Sequence, residues 1–166
     1  RFAIAPTSIT YAGTSTITFV LSNLAASGLT GVAFSDTLTN MQVAATPAVT
    51  NTCSGTVTAT AGSGSISLAG GVLGALGSCT ITVNVTSSTM GVHANTTTGV
   101  SSTESGGAGN PSNTVSLTMV APPNASKSFF PTSVRTNVPS TMTITISNPN
   151  ATTTITGMSF TDTYPA

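Results

Sequence analysis

The chain has 166 residues, of which 39% are hydrophobic and only 4% charged, and its three basic and three acidic side chains sum to zero. Ordinary soluble proteins carry roughly 25% charged residues, whereas Arg1, Lys127, Arg135, Asp36, Glu104 and Asp162 are too few and too scattered to form a basic stripe against phosphates, so nucleic-acid binding is not expected. No apolar run reaches the ~18 residues of a membrane helix, and residues 1–20 lack a charged segment leading into an apolar core, so membrane insertion is not expected either.

In chain order, Phe2 and Ile4 before Pro6 predict an edge strand that proline ends. Residues 14–21 read TSTITFVL, and the alternation of Ile17, Phe19 and Leu21 with Thr16 and Thr18 predicts a strand with one face in a core. A loop over residues 23–28 is followed by a second alternating stretch, residues 29–38, through Val32 and Phe34. MQVAA from Met41 is a short strand ended by Pro47, and residues 49–61 hold Cys53 and the alternating TVTAT. SISL, within residues 63–68, predicts a further strand, and the glycine-rich AGGVLGALGS predicts a loop whose Leu73 and Leu76 dip into the core. The clearest strand is CTITVNV, with Cys79, Ile81, Val83 and Val85 on one face. Residues 91–100 predict another. Residues 105–113, SGGAGNPSN, predict a loop because glycine and proline interrupt regular structure. TVSLTMV closes the series with Val115, Leu117 and Met119 inward, and APPNAS is a stiff, extended linker.

No window shows helical spacing, and β-branched Thr, Val and Ile dominate, which pack better on a pleated sheet than in a helix. Short strands at intervals of roughly 8–12 residues place the fold in the all-β class as an antiparallel β-sandwich, with a closed barrel as the alternative.

Residues 6–40 are written a second time from Pro131 to Ala166, at an offset of about 125 residues. Pro6 aligns with Pro131, Ser15 with Ser140, Asn23 with Asn148, Gly31 with Gly157, Phe34 with Phe160 and Asp36 with Asp162. Side chains held in place across two copies read as structural. The predicted organisation is a complete module over residues 1–122 and a linker with the first part of another over residues 123–166. The second copy carries Met142, Ile144, Ile146, Met158 and Phe160 without an opposing sheet. Either the following chain covers them, or they pair with a neighbouring copy by strand addition and build a filament. Other copies of the module are therefore the expected partners.

Cys53 and Cys79 are the two cysteines. A bond between them closes a loop worth about 3.5 kcal/mol in the chain-entropy model. The alternative, a redox or metal pair, lacks C-x-x-C spacing and has only His93 to assist. Two cysteines in a chain nearly free of Lys and Glu predict an oxidising, extracellular or cell-surface location.

Enzymatic chemistry is poorly provided for. His93 is the single histidine, Asp36 and Glu104 are the only acids before residue 123, and no nucleophile-elbow sequence occurs. His93 reads as a strand residue with a satisfied ring, and Asp36 as an acceptor of backbone N–H bonds at a strand end or a cap of the turn. Paired-carboxylate hydrolysis and calcium binding both need more acids, so no metal or cofactor is expected. A lysine-to-asparagine cross-link requires a lysine inside the sandwich. Residues 2–126 have none, and Phe2 stands where Lys127 aligns, so the first module is not expected to form one. Asn84, Asn95, Asn124 and Asn150 begin glycosylation acceptor triplets. The Thr-x-Thr runs are spaced too irregularly for an ice-ordering face and read as the solvent side of strands.

Phe130, Pro131 and Ser133; Ser22 and Asn23; Gly31, Phe34, Asp36 and Thr37; Asn51, Thr52, Cys53 and Gly55; and residues 78–85 together resemble the conserved-repeat Ig-like modules, themselves of unknown function, of large bacterial surface and secreted proteins. The sequence departs from that pattern at Ala5, where the second copy has Phe130, and at Leu38-Thr39. The resemblance implies an Ig-like sandwich, a tandem arrangement and an extracellular role, and it transfers no catalytic residue. The expected function is a non-enzymatic structural repeat, a stalk, spacer or filament building block. The alternative is an adhesin-type module that reads a carbohydrate or host protein with residues 70–78 or 105–113. The lack of Trp, and the presence of only Tyr11 and Tyr164 as Tyr, weigh against a sugar-stacking platform.

Overall fold

The computed structural model describes residues 1–164. Pro165 and Ala166, which end the second copy of the repeated stretch, lie outside the described residues. The chain divides into two compact units, Arg1–Val120 and a second that begins at Ala121.

In the first unit, β1 (Phe2–Ala5), β3 (Ser15–Ser22), β9 (Ser78–Thr86) and β5 (Gln42–Val43) lie side by side in that order, and β6 (Thr50–Asn51) also pairs with β9. A second sheet orders β4 (Leu29–Thr37), β8 (Ser65–Leu73) and β7 (Thr56–Thr58), and a third orders β10 (Gly91–Asn95), β11 (Val115–Met119) and β2 (Ser8–Ile9). These pairings are antiparallel except that of β2 with β11, which is parallel. The fold is all-β and sandwich-like, with no helix among the described residues.

Period-two alternation becomes burial. Ile17, Phe19 and Leu21 on β3 face Val83, Ile81 and Cys79 on β9, and all are buried. Ile66 and Leu68 on β8, Val32 and Phe34 on β4, and Leu117 and Met119 on β11 join the same cluster, so the three sheets share one core. The Phe19 ring lies 5.1 Å from that of Phe2 and 5.0 Å from that of Phe34, linking the first sheet to the second. Each large side chain removed from water in this way contributes about 1.5–3 kcal/mol.

Several local expectations change. Pro6 does not merely end the first strand, because the chain turns there and resumes as β2 in a different sheet. The glycine-rich segment after Leu68 is strand as far as Leu73, where β8 ends, and only residues 74–77 form the expected loop. Its pairing with β4 shifts register around Val32, and a Cβ on Gly71 would stand 3.2 Å from the Val32 Cβ, so glycine allows a bulge at a close approach. Leu73 is buried as expected, but Leu76 is 72% exposed. The strand over residues 91–100 ends at Asn95, after which Ser101 makes a lone bridge to Ala33. The linker after Val120 is short, because β12 begins at Asn124.

The second unit contains β12 (Asn124–Phe130) and β13 (Thr141–Ser147) as an antiparallel pair. Lys127 sits opposite Ile144, as Phe2 sits opposite Phe19 in the first unit. Met158 and Phe160 are exposed, whereas the residues aligned with them, Val32 and Phe34, are buried.

Candidate functional site

The aligned motif residues serve the backbone in both units. Pro6 and Pro131 each follow a cis peptide bond. Ser15 Oγ donates to the Pro6 carbonyl at 2.5 Å, and Ser140 Oγ to the Pro131 carbonyl at 2.6 Å. Asn23 Nδ2 donates to the carbonyls of Ser27 (2.7 Å) and Gly74 (2.9 Å), while its Oδ1 accepts from Ala25 N at 3.0 Å. Asn148 repeats the arrangement, with Nδ2 on the Thr153 carbonyl at 2.8 Å and Oδ1 accepting from Asn150 N at 2.9 Å. A short amide side chain that imitates backbone groups closes the loop after the strand in each case.

Cys53 and Cys79 form a disulfide, both buried. Cys79 lies in β9, and Cys53 follows β6, whose Asn51 pairs with Ile81 of β9. The bond thus fastens a loop to a neighbouring strand of one sheet and does not span two sheets. Asn51 shapes that loop, accepting from Cys53 N at 2.8 Å and donating to the Ser54 carbonyl at 3.0 Å.

Asp36 follows Phe34 by two on β4, so the pleat carries its carboxyl to the same inward face, where it is 1% exposed. It does not take backbone N–H bonds, contrary to the sequence expectation. Asn95, the last residue of β10 and 3% exposed, donates from Nδ2 to Asp36 Oδ2 at 2.8 Å. Asp36 Oδ1 and Asn95 Oδ1 are buried with no hydrogen-bond partner. Burial pushes the Asp36 carboxyl above the usual carboxylate range, and the Asn95 bond opposes this in part. In the sequence Asn95 stands out only as the head of a glycosylation triplet, and nothing local marks it as a partner of Asp36. His93 is buried two residues earlier, its Nε2 2.6 Å from the Thr89 carbonyl.

In the second unit, Lys127 Nζ donates to Asp162 Oδ1 at 2.8 Å, with side chains 43% and 23% exposed. The hydrogen bond it donates to Asp162 holds the lysine above its ordinary range. Asp162 Oδ2 is buried and unpaired. Phe160 stays exposed two residues before it.

A cleft of about 480 Å³ in the first unit has Phe2, Phe19 and Phe34 in its floor and Ser101, Ser105 and Asn113 on its rim. Residues 105–113 do border it, and residues 70–78 contribute Leu73. The rim segment is fixed at both ends. Asn113 exchanges two bonds with the Phe2 backbone, at 3.0 and 2.9 Å, and Glu104 accepts from Thr30 N at 2.8 Å and Thr30 Oγ1 at 2.6 Å. Those bonds from Thr30 hold the Glu104 carboxyl below its usual range. Among the described residues no three His, Cys, Asp or Glu side chains gather as metal ligands.

No curated protein and no solved structure matches the chain. The model of one family matches residues 2–119 and again residues 123–166. The chain therefore belongs to the DUF7933 family, a domain of unknown function.

Proposed function

We propose that this chain is a non-enzymatic structural segment of an extracellular or cell-surface protein, built from Ig-like modules in tandem and serving as a stalk, spacer or filament building block. The observation that carries this reading is what recurs. Pro6, Ser15 and Asn23 make the same backbone contacts as Pro131, Ser140 and Asn148, so the aligned residues maintain a scaffold. A nearly uncharged surface supports it, because little repulsion opposes end-to-end or side-by-side packing of copies. Electron microscopy of native material tests the reading. Fibres or strings with an axial repeat near one module are expected, and compact single particles would refute it.

A second reading, an adhesin-type module for a carbohydrate or host protein, draws on the cleft, whose rim offers the Ser101, Ser105 and Asn113 side chains. Its aromatic floor is at most 7% exposed, which leaves no ring face for a sugar to stack on. Specific glycan or host-protein binding that is lost on substitution of Ser105 would favour this reading over the mechanical one.

A further inference from the structure

The first and last segments of the first unit run alongside each other in one direction. Phe2 N donates to Asn113 Oδ1 at 3.0 Å, and Asn113 Nδ2 donates to the Phe2 carbonyl at 2.9 Å. Thr118 N donates to the Thr7 carbonyl at 2.8 Å, and Val120 N to the Ile9 carbonyl at 2.9 Å. In each of these bonds the partner lies 111 residues further along the chain. A constant offset makes one parallel seam, from Phe2 with Asn113 at one end to Ile9 with Val120 at the other, and the parallel pairing of β2 with β11 is its second half. Ile9, Leu117 and Met119 are buried there, which keeps water from competing for the bonds. Midway, the chain turns at Pro6, and Ser15 Oγ holds the turn through the Pro6 carbonyl. β1 is paired with β3 and β2 with β11, so the seam fastens two sheets at once.

We propose that this seam is a mechanical clamp that lets the module carry tension along the chain, and that the Cys53–Cys79 bond limits how far the chain lengthens once the clamp fails. The proposal rests on the structural-segment reading above and gives that segment a purpose.

Strand direction decides how a load reaches the bonds. Tension draws the first segment toward Phe2 and the last toward Val120, which stand at opposite ends of a parallel seam. The two segments are therefore pulled past each other lengthwise, and the bonds that cross the seam share the load and break together. Were the segments antiparallel, both pulls would act at one end and part the bonds one at a time. Forced unfolding is governed by the unfolding rate, so shared loading lengthens the folded lifetime under tension without raising equilibrium stability. Behind the clamp, the disulfide closes a loop that contains β7 and β8. Its span of 26 residues is withheld from extension, because a covalent bond survives loads that part hydrogen bonds.

Force-clamp spectroscopy on the full chain, held at its two ends, tests the proposal. The first unit is expected to open in one abrupt step. Cys53→Ala with Cys79→Ala identifies that step by lengthening it by roughly 90 Å, the reach of 26 more extended residues. Val120→Pro removes one seam donor and is expected to shorten the folded lifetime under load about fivefold, and Asn113→Ala, which removes two bonds, by on the order of tenfold or more. Ile66→Val, buried on β8 within the disulfide-closed loop, is expected to lower the thermal midpoint and leave that lifetime unchanged. If Val120→Pro does not fold, Asn113→Ala decides, because it leaves every strand donor in place. Opening in many small steps, seam variants that last as long as the parent or no less than Ile66→Val, or a step that does not lengthen without the cysteines would each overturn the clamp. The structural-segment reading fails separately, on compact single particles in native material, whatever the lifetime under load.

Discussion

Replacing Cys53 and Cys79 together by alanine opens a loop whose ends lie 26 residues apart. The loop-closure entropy returned to the unfolded chain is worth about 3.5 kcal/mol at 25 °C. The folded state has little to lose beyond the sulfur atoms, because the same segment is held by other bonds. Thr52 N donates to the Thr80 carbonyl at 2.9 Å, Thr80 N to Thr52 Oγ1 at 2.8 Å, and Val72 N to the Cys53 carbonyl at 2.8 Å. Both cysteines are buried, so the small cavities left by their sulfurs add about 1 kcal/mol. Against a total stability of roughly 5–15 kcal/mol this is a large share. For a unit of this size it corresponds to a Tm lower by on the order of 10–20 °C. Thermal unfolding followed by circular dichroism measures it, and the parent chain under reductant separates the two contributions, since it loses the cross-link and keeps the sulfurs. A fall of less than about 3 °C in both samples would refute the reasoning, and would mean that strand pairing already restricts the unfolded chain as much as the bond does.

Asp36→Asn tests the buried carboxyl. Because burial raises its folded-state pKa, the unfolded chain releases the proton first, so stability from this group falls as pH climbs from the ordinary Asp range to the raised folded value, and is flat above it. The substituted carboxamide cannot ionise and can donate to the orphan Asn95 Oδ1, so the variant is expected to exceed its parent in denaturant midpoint at about pH 7 and to lose that advantage near pH 3. Identical pH profiles for parent and variant would contradict this. Of the four glycosylation triplets, Asn95 is buried, Asn84 Oδ1 accepts from Thr16 Oγ1 within the β3–β9 pair, and Asn150 is tied to the Ala121 backbone, whereas Asn124 is exposed. In a glycosylating host, mass mapping is expected to find sugar at Asn124, and sugar on Asn95 of folded, disulfide-bonded protein would refute the assigned burial.

The sequence by itself determined which residues form strands and which way they face wherever alternation was uninterrupted, because the pleat has a period of two and needs no partner to express it. Ile17, Phe19 and Leu21, and the inward residues from Cys79 to Val85, were legible for that reason and are buried as read. It also determined the Cys53–Cys79 bond, since no other cysteine exists. Composition misled where a tertiary neighbour overrides local preference. Gly70 and Gly71 read as loop, yet Val32 packs against Gly71 and keeps both in the sheet. Only the tertiary structure decided which sheet each strand joins, that β2 runs parallel to β11, and that the cysteine bond stays within one sheet. It alone brought Asp36 to Asn95 across 59 residues. Such pairings depend on contacts between distant segments, and a buried hydrogen bond leaves no periodic trace in either strand that contributes to it.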